Sequence, residues 1–585
     1  MTTTAARPGP APMPAPAPKD SPSGKEKPKE TFRDFVEQIV VAVILAILIR
    51  GFDAEAFVIP TGSMAPTLMG RHKEITCPEC GEVFTVNSSE ELEAFFRGNP
   101  AARANEKALC VNCRWAAPVG EAPSFKGDRI LVMKFPYELP FLPGSGGPRR
   151  WDVVVFHYPE HPEQNYIKRL VGLSDEELKI LHGDIFRRKL GSDEPFVIAR
   201  KPLSRMRAMA IVVNNDAHRA KLLADHPEWL RWKTAGGWAE EKGSTFAFSG
   251  GSKDAAGTLR YQHLVPDPEQ WRQIARNERL TRPAKPTLIT DFYSYNASTM
   301  GDPSDPTAAW RQTDWVGDLG IEFDLAIDKV DGGTITLELI EAGVKNRCVI
   351  DPQAGTAILY HGDTKLGEAN TKITGPGRYS VGFANVDDQL TLWVDGRAPF
   401  GDGLTYDGGP ETSHLPTAAD LEPVAISAWG VSARVSGLVL KRDIYYTQDP
   451  RRPDCSIESP ALFEPEGRDR ELTRVLAMYD VLSDPAKFGS LMATEARGDT
   501  YSIRPDNFLM MGDNSPRSSD SRAWGKQDRD WDPDRSPWEV PRHLLIGRAF
   551  FVYWPHGVPI WPKIQLSPDF RVPFRPYVER MKPIR

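Results

Sequence analysis

Alternation of apolar and polar residues is the sequence pattern that most constrains how this chain folds. It runs through Leu319-Gly-Ile-Glu-Phe-Asp-Leu-Ala-Ile327, Ile335-Thr-Leu-Glu-Leu339 and Leu390-Thr-Leu-Trp-Val394. Because successive side chains of a strand point to opposite faces of a sheet, this pattern predicts half-buried β-strands. With 47 Gly and 52 Pro for turns, the sequence predicts a mainly β protein. Its 585 residues exceed what one core can organise, so we expect three or more domains.

The overall charge excludes one class of partner. The formal net charge is -7, whereas nucleic-acid-binding domains are normally basic. We therefore expect no nucleic-acid partner.

The first 52 residues predict a tail followed by a membrane anchor. Residues 1–34 are Pro/Ala-rich and then Lys/Glu-rich, so we expect a disordered tail. An apolar run over 39–49 extends to 35–52 when its flanks are included, which is long enough for a single transmembrane helix. Positive charges precede this run, so the positive-inside rule leaves the amino terminus in the cytoplasm and the rest of the chain outside. These charges are Lys25, Lys27, Lys29 and Arg33.

Two alternatives to an anchor stay open. The strictly apolar run has 11 residues, which also suits a buried helix of a globular protein. Ala54-Glu55-Ala56 is an A-x-A site just past a run of suitable length, as in a cleavable signal peptide. We favour the retained anchor.

Four of the six cysteines form two CxxC pairs, Cys77 with Cys80 and Cys110 with Cys113. Each pair offers two thiolates from one tight turn, so the four together predict a zinc site. Four thiolates leave no open position, and such a zinc is structural. The alternative is two disulfides, which an oxidising exterior favours. Cys348 and Cys455 are expected to be free and buried, or a chance pair, and not metal ligands.

A serine on a glycine turn and a distant lysine suggest chemistry. Ser63 lies in Thr61-Gly-Ser-Met-Ala-Pro-Thr67, and Lys168 in Tyr166-Ile-Lys-Arg169. A serine hydroxyl is a weak nucleophile until a base removes its proton. A lysine is such a base only where burial lowers its pKa. In a strand, Lys168 shares a face with Tyr166 and Leu170, which would provide that apolar surrounding. The pair predicts a Ser-Lys peptidase that needs no catalytic cofactor.

A polar loop near the carboxyl end follows an apolar strand. The stretch 508–525 reads Phe-Leu-Met-Met-Gly-Asp-Asn-Ser-Pro-Arg-Ser-Ser-Asp-Ser-Arg-Ala-Trp-Gly. We interpret it as a loop that fixes the nucleophile and the base. The alternative is a hydrogen-bonded surface loop.

These segments, with Lys126-Gly-Asp-Arg-Ile-Leu-Val132 and Trp151-Asp-Val-Val-Val-Phe156, resemble the type I signal peptidases. That family consists of membrane-bound Ser-Lys enzymes that remove signal peptides from exported proteins. The resemblance covers roughly 35–70, 125–184 and 501–574. It implies an antiparallel β catalytic domain, with Ser63 as the nucleophile and Lys168 as the general base.

The resemblance also implies roles for residues around the pair. Thr61 would complete the oxyanion hole, and Ser518 would orient the lysine amine. Two ion pairs would hold the loop, and four residues would line pockets for small side chains. The ion pairs are Arg169 with Asp513 and Asp520 with Arg522, and the pocket residues are Ile59, Pro60, Met64 and Ile167. The loop departs from many relatives in reading Asn514-Ser-Pro-Arg517, and only one anchor is visible instead of two.

The sequence thus divides into a catalytic domain with two large inserts. The domain comprises 53–70, 125–184 and 501–574, with a zinc-ribbon-like insert at 71–118. A stretch of unassigned role, 185–285, precedes a β-sandwich at 286–447, and 448–500 is a connector. The sandwich resembles the laminin-G/concanavalin jelly roll, and its ligand would be a glycan or a protein. Its tryptophans form either a sugar platform or part of the core: Trp310, Trp315, Trp393 and Trp429. We expect the sandwich to be separable from the chemistry.

The function that follows is signal peptidase I, which cleaves after Ala-x-Ala-type sites in exported preproteins. The enzyme would be single-pass in the cell membrane, with the lipid bilayer as a partner and its catalytic domain extracytoplasmic. Two alternatives stay open. One is an anchored Ser-Lys protease acting on a specific partner, and the other is an inactive scaffold that displays the sandwich.

Overall fold

The computed structural model divides the chain into two units, Met1–Asp53 and Ala54–Arg585. It describes residues 36–42, 54–89, 107–120, 122–134, 137, 147–250, 256–297, 312–408, 415–450, 454, 470–492, 500–524, 536–559, 565–567, 570–571 and 574–585. In the first unit, residues 36–42 are helical. The predicted tail at 1–34, the rest of the predicted anchor at 35–52 and Cys455 lie outside the described residues. Within the ranges given above, no helix has the length and apolar character needed to cross a membrane.

A seven-stranded antiparallel sheet gathers strands from both ends of the second unit. In spatial order its strands are Ala54–Val58, Arg129–Met133, Leu545–Trp554, Val153–His157, Asn165–Gly172, Asn507–Met511 and Glu539–Pro541. The central strand Val153–His157 is apolar on both faces, because Val153 and Val155 belong to one core cluster and Val154 and Phe156 to another. Burial on both faces explains why this strand is continuously apolar and does not alternate between apolar and polar residues.

A smaller antiparallel sheet lies beside the first. Its strands are Val197–Ile198, Asp184–Lys189, Glu176–Leu181 and Thr500–Ile503. The two sheets share a core, since Leu178 and Ile180 of the small sheet cluster with Val171 and Leu509 of the large one.

The remaining small sheets are short antiparallel pieces. One three-stranded sheet joins the first CxxC region to the catalytic part, and three hairpins complete the set. Their strands are Val83–Asn87, His72–Thr76 and Ser124–Phe125; Lys107–Leu109 with Ala116–Pro118; Gly557–Pro559 with Phe574–Pro576; and Gln565–Ser567 with Phe570–Arg571.

The inserted sandwich has 13 antiparallel strands. They are Ile211–Asn215, Trp232–Ala235, Trp238–Glu241, Thr245–Gly250, Gly257–Tyr261, Leu319–Glu341, Val344–Asp351, Thr356–His361, Thr364–Asn370, Gly377–Asn385, Gln389–Val394, Leu404–Thr405 and Val424–Arg442. The three alternating segments of the sequence all lie in these strands. Five strands come from 211–261, so the sandwich begins earlier than the expected 286. Phe246, Phe248 and Leu259 of this earlier part join the same core as Leu319 and Leu337.

The two longest strands, Leu319–Glu341 and Val424–Arg442, pair along most of their length with register shifts. One shift falls between Val330 and Thr334, where the backbone of Gly333 meets that of Trp429. A Cβ on Gly333 would lie 1.7 Å from the Trp429 carbonyl oxygen, so only glycine fits there. Bulges of this kind let one strand bend and serve two neighbours in succession.

Two of the four tryptophans belong to different apolar clusters. Trp393 packs with Met206 and Val386, whereas Trp315 packs against Leu288 and Phe488. Trp429 is half-buried, and Trp310 lies outside the described residues. The positions of Trp315 and Trp393 match the core-packing interpretation.

Helices are few and short. Among the described residues of the second unit the α-helices are Leu203–Met209, Pro268–Ala275, Arg470–Leu482 and Pro485–Met492. The 3-10 turns are Gly62–Met64, Lys221–Leu223, Pro227–Trp229, Ser294–Asn296, Ala418–Leu421, Ser515–Arg517, Arg542–Leu544 and Val578–Arg580. Asp267 begins the helix Pro268–Ala275 with a capping box in which its side chain accepts from the backbone N–H of Gln270.

Candidate active site

Ser63 lies on the 3-10 turn Gly62–Met64, between the edge strand Ala54–Val58 and the ribbon. It is buried, with 8% of its surface exposed. The turn needs glycine at position 62, because a Cβ there would lie 2.3 Å from a ring carbon of Tyr295. The tight packing holds the serine backbone in place.

Lys168 extends from the strand Asn165–Gly172 to this turn. Its Nζ lies 2.8 Å from Ser63 Oγ, although the two residues are 105 positions apart. The lysine is 4% exposed, and the amine also donates to the Ile167 carbonyl at 3.1 Å. Burial lowers the pKa of Lys168 to about 8, against the opposing influence of the Asp520 and Asp513 carboxylates. A buried amine of this kind can take a proton from the hydroxyl it contacts.

Thr61 precedes the turn in an extended conformation. The residue is exposed, and its side chain makes no capping hydrogen bond to the turn. Its contribution to an oxyanion hole stays a prediction.

Arg169, next to the lysine, faces away from it into a buried ion pair. Its Nε and Nη2 donate to the two Asp513 oxygens, each at 2.6 Å, and both side chains are fully buried. The Thr67 hydroxyl donates to the same carboxylate. The ion pair therefore ties the polar loop to the strand Asn165–Gly172. The Thr67 hydroxyl ties the same loop to the segment that contains Ser63.

Asp520 and Arg522 form a second fully buried pair at 2.7 Å. Burial alone would raise the pKa of Asp520, but the adjacent Arg522 guanidinium holds it below its usual range. Arg522 also donates to the Thr447 carbonyl at 2.6 Å, and Asp520 accepts from the Gly512 N–H at 2.9 Å. The pair fixes the loop from within and joins it to the end of the sandwich.

Ser518 is buried close to this carboxylate and contributes to lowering the pKa of Asp520. The Lys168 amine contacts Ser63 Oγ and the Ile167 carbonyl oxygen, and the predicted hydrogen bond from Ser518 to this amine is not formed in this structure. Ser518 packs against Gly512, where a Cβ would lie 2.2 Å from its Oγ.

The four predicted pocket residues divide into two sets. Ile59 and Met64 are buried in a core with Leu68, and Ile167 packs against that core while half-buried. Pro60 is exposed. Pro60 and Ile167 are therefore the two that solvent reaches, and Ile59 and Met64 lie in the core; their role in a substrate pocket stays a prediction.

Sequence reasoning missed a contact from the insert to the nucleophile turn. Asn514 Nδ2 donates to the Gly62 carbonyl at 3.1 Å and to Asn296 Oδ1 at 2.9 Å. Asn296 Nδ2 donates back to Asn514 Oδ1 at 2.6 Å. Tyr295 clusters with Ala65 and Met69 behind the turn. Asn296 followed by Ala-Ser carried only a weak glycosylation pattern, so no sequence signal pointed to this role.

The four cysteines of the CxxC pairs converge in a buried cluster, with their sulfurs within 4.8 Å of one another. Cys77 Sγ lies 3.6 Å from Cys113 Sγ, and Cys80 Sγ lies 3.6 Å from Cys110 Sγ. A disulfide bond measures about 2.05 Å, so the described cysteines are free thiols. An edge of a tetrahedron with Zn–S bonds of about 2.3 Å is about 3.8 Å, which the observed spacing approaches. Cys348 is free and buried in the sandwich core.

Comparisons with known proteins match parts of the chain that contain Lys168 and the polar loop. The sequence model of the family described as "Signal peptidase, peptidase S26" matches residues 121–203 and 458–554. These segments contain the dyad lysine and the polar loop, and the match supports a peptidase of the signal peptidase type.

Individual relatives point the same way over a small part of the chain. This chain is 42% identical over 82 residues to signal peptidase I of Pseudomonas aeruginosa, a match covering 12% of this chain and 29% of the relative. It is 39% identical over 114 residues to signal peptidase I of Pseudomonas fluorescens, a match covering 14% of this chain and 39% of that relative. The chain thus spans between a quarter and two fifths of the length of these relatives.

Solved structures with a weak likeness to this chain include carbohydrate-binding proteins. A carbohydrate-binding module, CBM66 from Bacillus subtilis, has a TM-score of 0.22 and 11% identity, covering 36% of this chain and 96% of the module. The galectin LEC-6 of Caenorhabditis elegans has a TM-score of 0.15 and 14% identity, covering 21% and 84%. Scores this low carry no conclusion about the sandwich.

Proposed function

We propose that this chain is a signal peptidase of the Ser-Lys type, with Ser63 as nucleophile and Lys168 as general base. The observation that carries the proposal is the buried 2.8 Å contact between Lys168 Nζ and Ser63 Oγ. Burial of the amine supplies the neutral base that this chemistry needs, and the family match supports the reaction class.

The proposed reaction proceeds through an acyl-enzyme. Neutral Lys168 takes the Ser63 proton as Oγ attacks the carbonyl carbon of the scissile bond. The backbone N–H of Ser63 and the Thr61 hydroxyl stabilise the negative oxygen that develops. The lysine ammonium then protonates the leaving amine. Neutral Lys168 then takes a proton from the water that attacks the ester carbon, and it returns this proton to Ser63 Oγ as the acyl–oxygen bond breaks.

The proposed substrates are exported preproteins, cleaved after Ala-x-Ala-type sites at the membrane surface. An extended chain would pair by backbone hydrogen bonds beside the turn, and Pro60 and Ile167 would contact its small side chains. Ile59 and Met64 lie buried beneath them, and this apolar floor favours small apolar residues over charged ones. The anchor proposed at 35–52 would hold the enzyme at the bilayer.

We also propose that the four clustered cysteines hold a structural zinc ion. Their donor set, burial and sulfur spacing fit tetrahedral coordination. Such an ion would brace the ribbon and take no part in hydrolysis.

The test is cleavage of a model Ala-x-Ala preprotein in detergent by purified protein. Ser63→Ala and Lys168→Ala should each lose nearly all activity, and the double variant should lose little more, since the pair acts as a unit. Ser490→Ala and Lys487→Ala are matched controls, because both residues are exposed on the helix Pro485–Met492. Full activity in either dyad variant, or no cleavage by the parent protein, would overturn the proposal.

A further inference from the structure

Two histidines and a glutamate converge in a second cluster that the proposed reaction does not use. His72 and Glu74 lie two residues apart on the strand His72–Thr76, so they share a face. His556 follows the sheet strand Leu545–Trp554. One donor atom from each of the three lies within 4.8 Å of the others. His72 is fully buried, His556 is 5% exposed, and the Glu74 side chain is 22% exposed.

The hydrogen bonds of His72 define which ring nitrogen faces the cluster. His72 Nδ1 lies 2.7 Å from the Gly70 carbonyl oxygen, which only accepts, so Nδ1 carries the hydrogen. Nε2 then presents a lone pair. Within the described residues Nε2 has no hydrogen-bond partner, and neither ring nitrogen of His556 has one. A buried polar atom without a partner is destabilising, so three such atoms in one cluster favour the binding of a ligand.

Packing, and not hydrogen bonding, sets the orientation of the His556 ring. The ring stacks on Phe125 with centroids 4.3 Å apart, and the Tyr577 ring meets it edge-on at 5.2 Å. The His72 ring lies 5.3 Å away at 70°. Both imidazoles are therefore held rigidly before any ligand arrives.

We propose that His72, Glu74 and His556 bind a divalent transition-metal ion, with zinc as the best match. Two imidazoles and one carboxylate form a common zinc donor set, which leaves a fourth position for water. His556 Nε2 and Glu74 Oε2 lie 3.7 Å apart, close to the edge of about 3.4 Å in a tetrahedron with bonds of about 2.0–2.1 Å. The Gly70 carbonyl on His72 Nδ1 is the kind of outer contact that orients ligating histidines.

A neighbouring cation does not prevent binding. Arg580 lies close enough to influence His72, but its Nη2 is ion-paired with the buried Asp128 carboxylate at 2.8 Å. That pairing offsets most of its charge. The Glu74 carboxylate supplies a negative charge to the ion directly, and its partial exposure gives the ion a way in.

The ion would act as a clamp beneath the nucleophile turn. Gly70, which holds His72, also touches the turn, since a Cβ there would lie 2.2 Å from the Thr61 carbonyl carbon. His556 belongs to the carboxyl-terminal part of the chain. An ion shared by His72 and His556 would therefore fasten this late segment to the strand that supports the turn.

The experiment counts metal ions on the full-length protein. The protein is stripped with a chelator, reloaded with Zn²⁺ alone, and the tightly bound ions per chain are measured. His72→Gln and His556→Gln should each bind one ion fewer than the parent. His161→Gln is the matched control, because its side chain is 55% exposed and should leave the count unchanged. Comparing variants cancels any ion held by the cysteines.

A second set of measurements tests the proposal if His72→Gln or His556→Gln does not fold. Glu74→Gln keeps the size of a partly exposed side chain and should weaken binding of this ion at least tenfold. In a background with Cys77, Cys80, Cys110 and Cys113 all changed to Ser, Co²⁺ should give ligand-field bands without thiolate charge transfer. An unchanged ion count in folded His72→Gln and His556→Gln would overturn the proposal. Absence of those Co²⁺ bands, or full zinc affinity in Glu74→Gln, would overturn it equally.

Discussion

Asn296 and Asn514 exchange two side-chain hydrogen bonds, 2.6 and 2.9 Å long, across the boundary between the insert and the catalytic loop. Both residues are buried. Asn514 continues the contact to the carbonyl of Gly62 and, through its backbone N–H, to the carbonyl of Ser63. Asn296 of the insert therefore supports the turn Gly62–Met64 indirectly, through Asn514.

Asn296→Ala should reduce kcat while the protein stays folded. The change leaves the buried Asn514 amide without its partner, a cost of about 1–3 kcal/mol, which corresponds to roughly fivefold to 150-fold if it falls on the transition state. Kinetics on an Ala-x-Ala peptide measure this effect. Asn370→Ala, at an exposed position of the sandwich, is the control and should not change kcat. Equal kinetics in the two variants would mean that the pair does not position the turn.

Excision of residues 286–447 should abolish peptide cleavage. The sequence suggests a separable domain and a loss within about tenfold, but the excision removes Asn296 and the Thr447 carbonyl that Arg522 uses. It also removes Val424–Arg442, the strand on which Ile211–Asn215 and Thr245–Gly250 pair. The rate of peptide cleavage and the thermal transition of the excised protein check this.

The control for the excision is a change at a hairpin tip within the same insert. Replacing Gly362-Asp363 with another two-residue turn alters only an exposed loop and should leave activity intact. An excised protein that folds and cleaves at close to the parent rate would show that these contacts are dispensable.

The cleavage rate should rise with pH and level off above about 8. The base is active only when neutral, and burial lowers the pKa of Lys168 to about 8. Below that pKa the amine is protonated, so each further pH unit should reduce kcat/KM about tenfold. Lys168→Arg should be inactive at every pH, because arginine does not deprotonate in proteins. A profile that stays flat from pH 6 to 9 would exclude Lys168 as the base.

Cys77→Ser and Cys113→Ser should each lose one bound zinc ion and lower the thermal transition temperature. Removing one thiolate opens the tetrahedron on which the ribbon depends. Cys348→Ser is the control for the metal count, because Cys348 lies in the sandwich core away from the cluster. Peptide cleavage by protein that stays folded should survive, since the ion is structural. Zinc content unchanged in both ribbon variants would contradict a four-cysteine site.

The sequence predicted the parts of the site that lie in short contiguous patterns. Ser63 and Lys168 each sit in a local segment with a distinctive order of residues, and the alternating strands at 319–339 follow from periodicity alone. The ion pairs Arg169–Asp513 and Asp520–Arg522 were expected from the resemblance, and the structure places these residues in contact.

Features that depend on tertiary packing could not be predicted from the sequence. Asn296 acts through a residue 218 positions away, and nothing in its own segment indicates this. The strands at 211–261 were left unassigned, and three of them pair with Val424–Arg442, which follows more than 160 residues later. The Ser518 hydroxyl does not bond to the Lys168 amine, and such a detail of distance is encoded by no sequence pattern.

The order of strands in the catalytic sheet has a consequence for synthesis. Leu545–Trp554 lies between Arg129–Met133 and Val153–His157 in the sheet. These two strands, which are synthesised early, can therefore be joined only after the late strand is made. During translation the sandwich strands emerge in between and can pair among themselves before that late strand exists. Closing so long a loop costs chain entropy, and the two halves of this sheet can join only after Leu545–Trp554 has been synthesised. A nascent chain therefore carries Ser63 and Lys168 long before the sheet that joins their strands is complete.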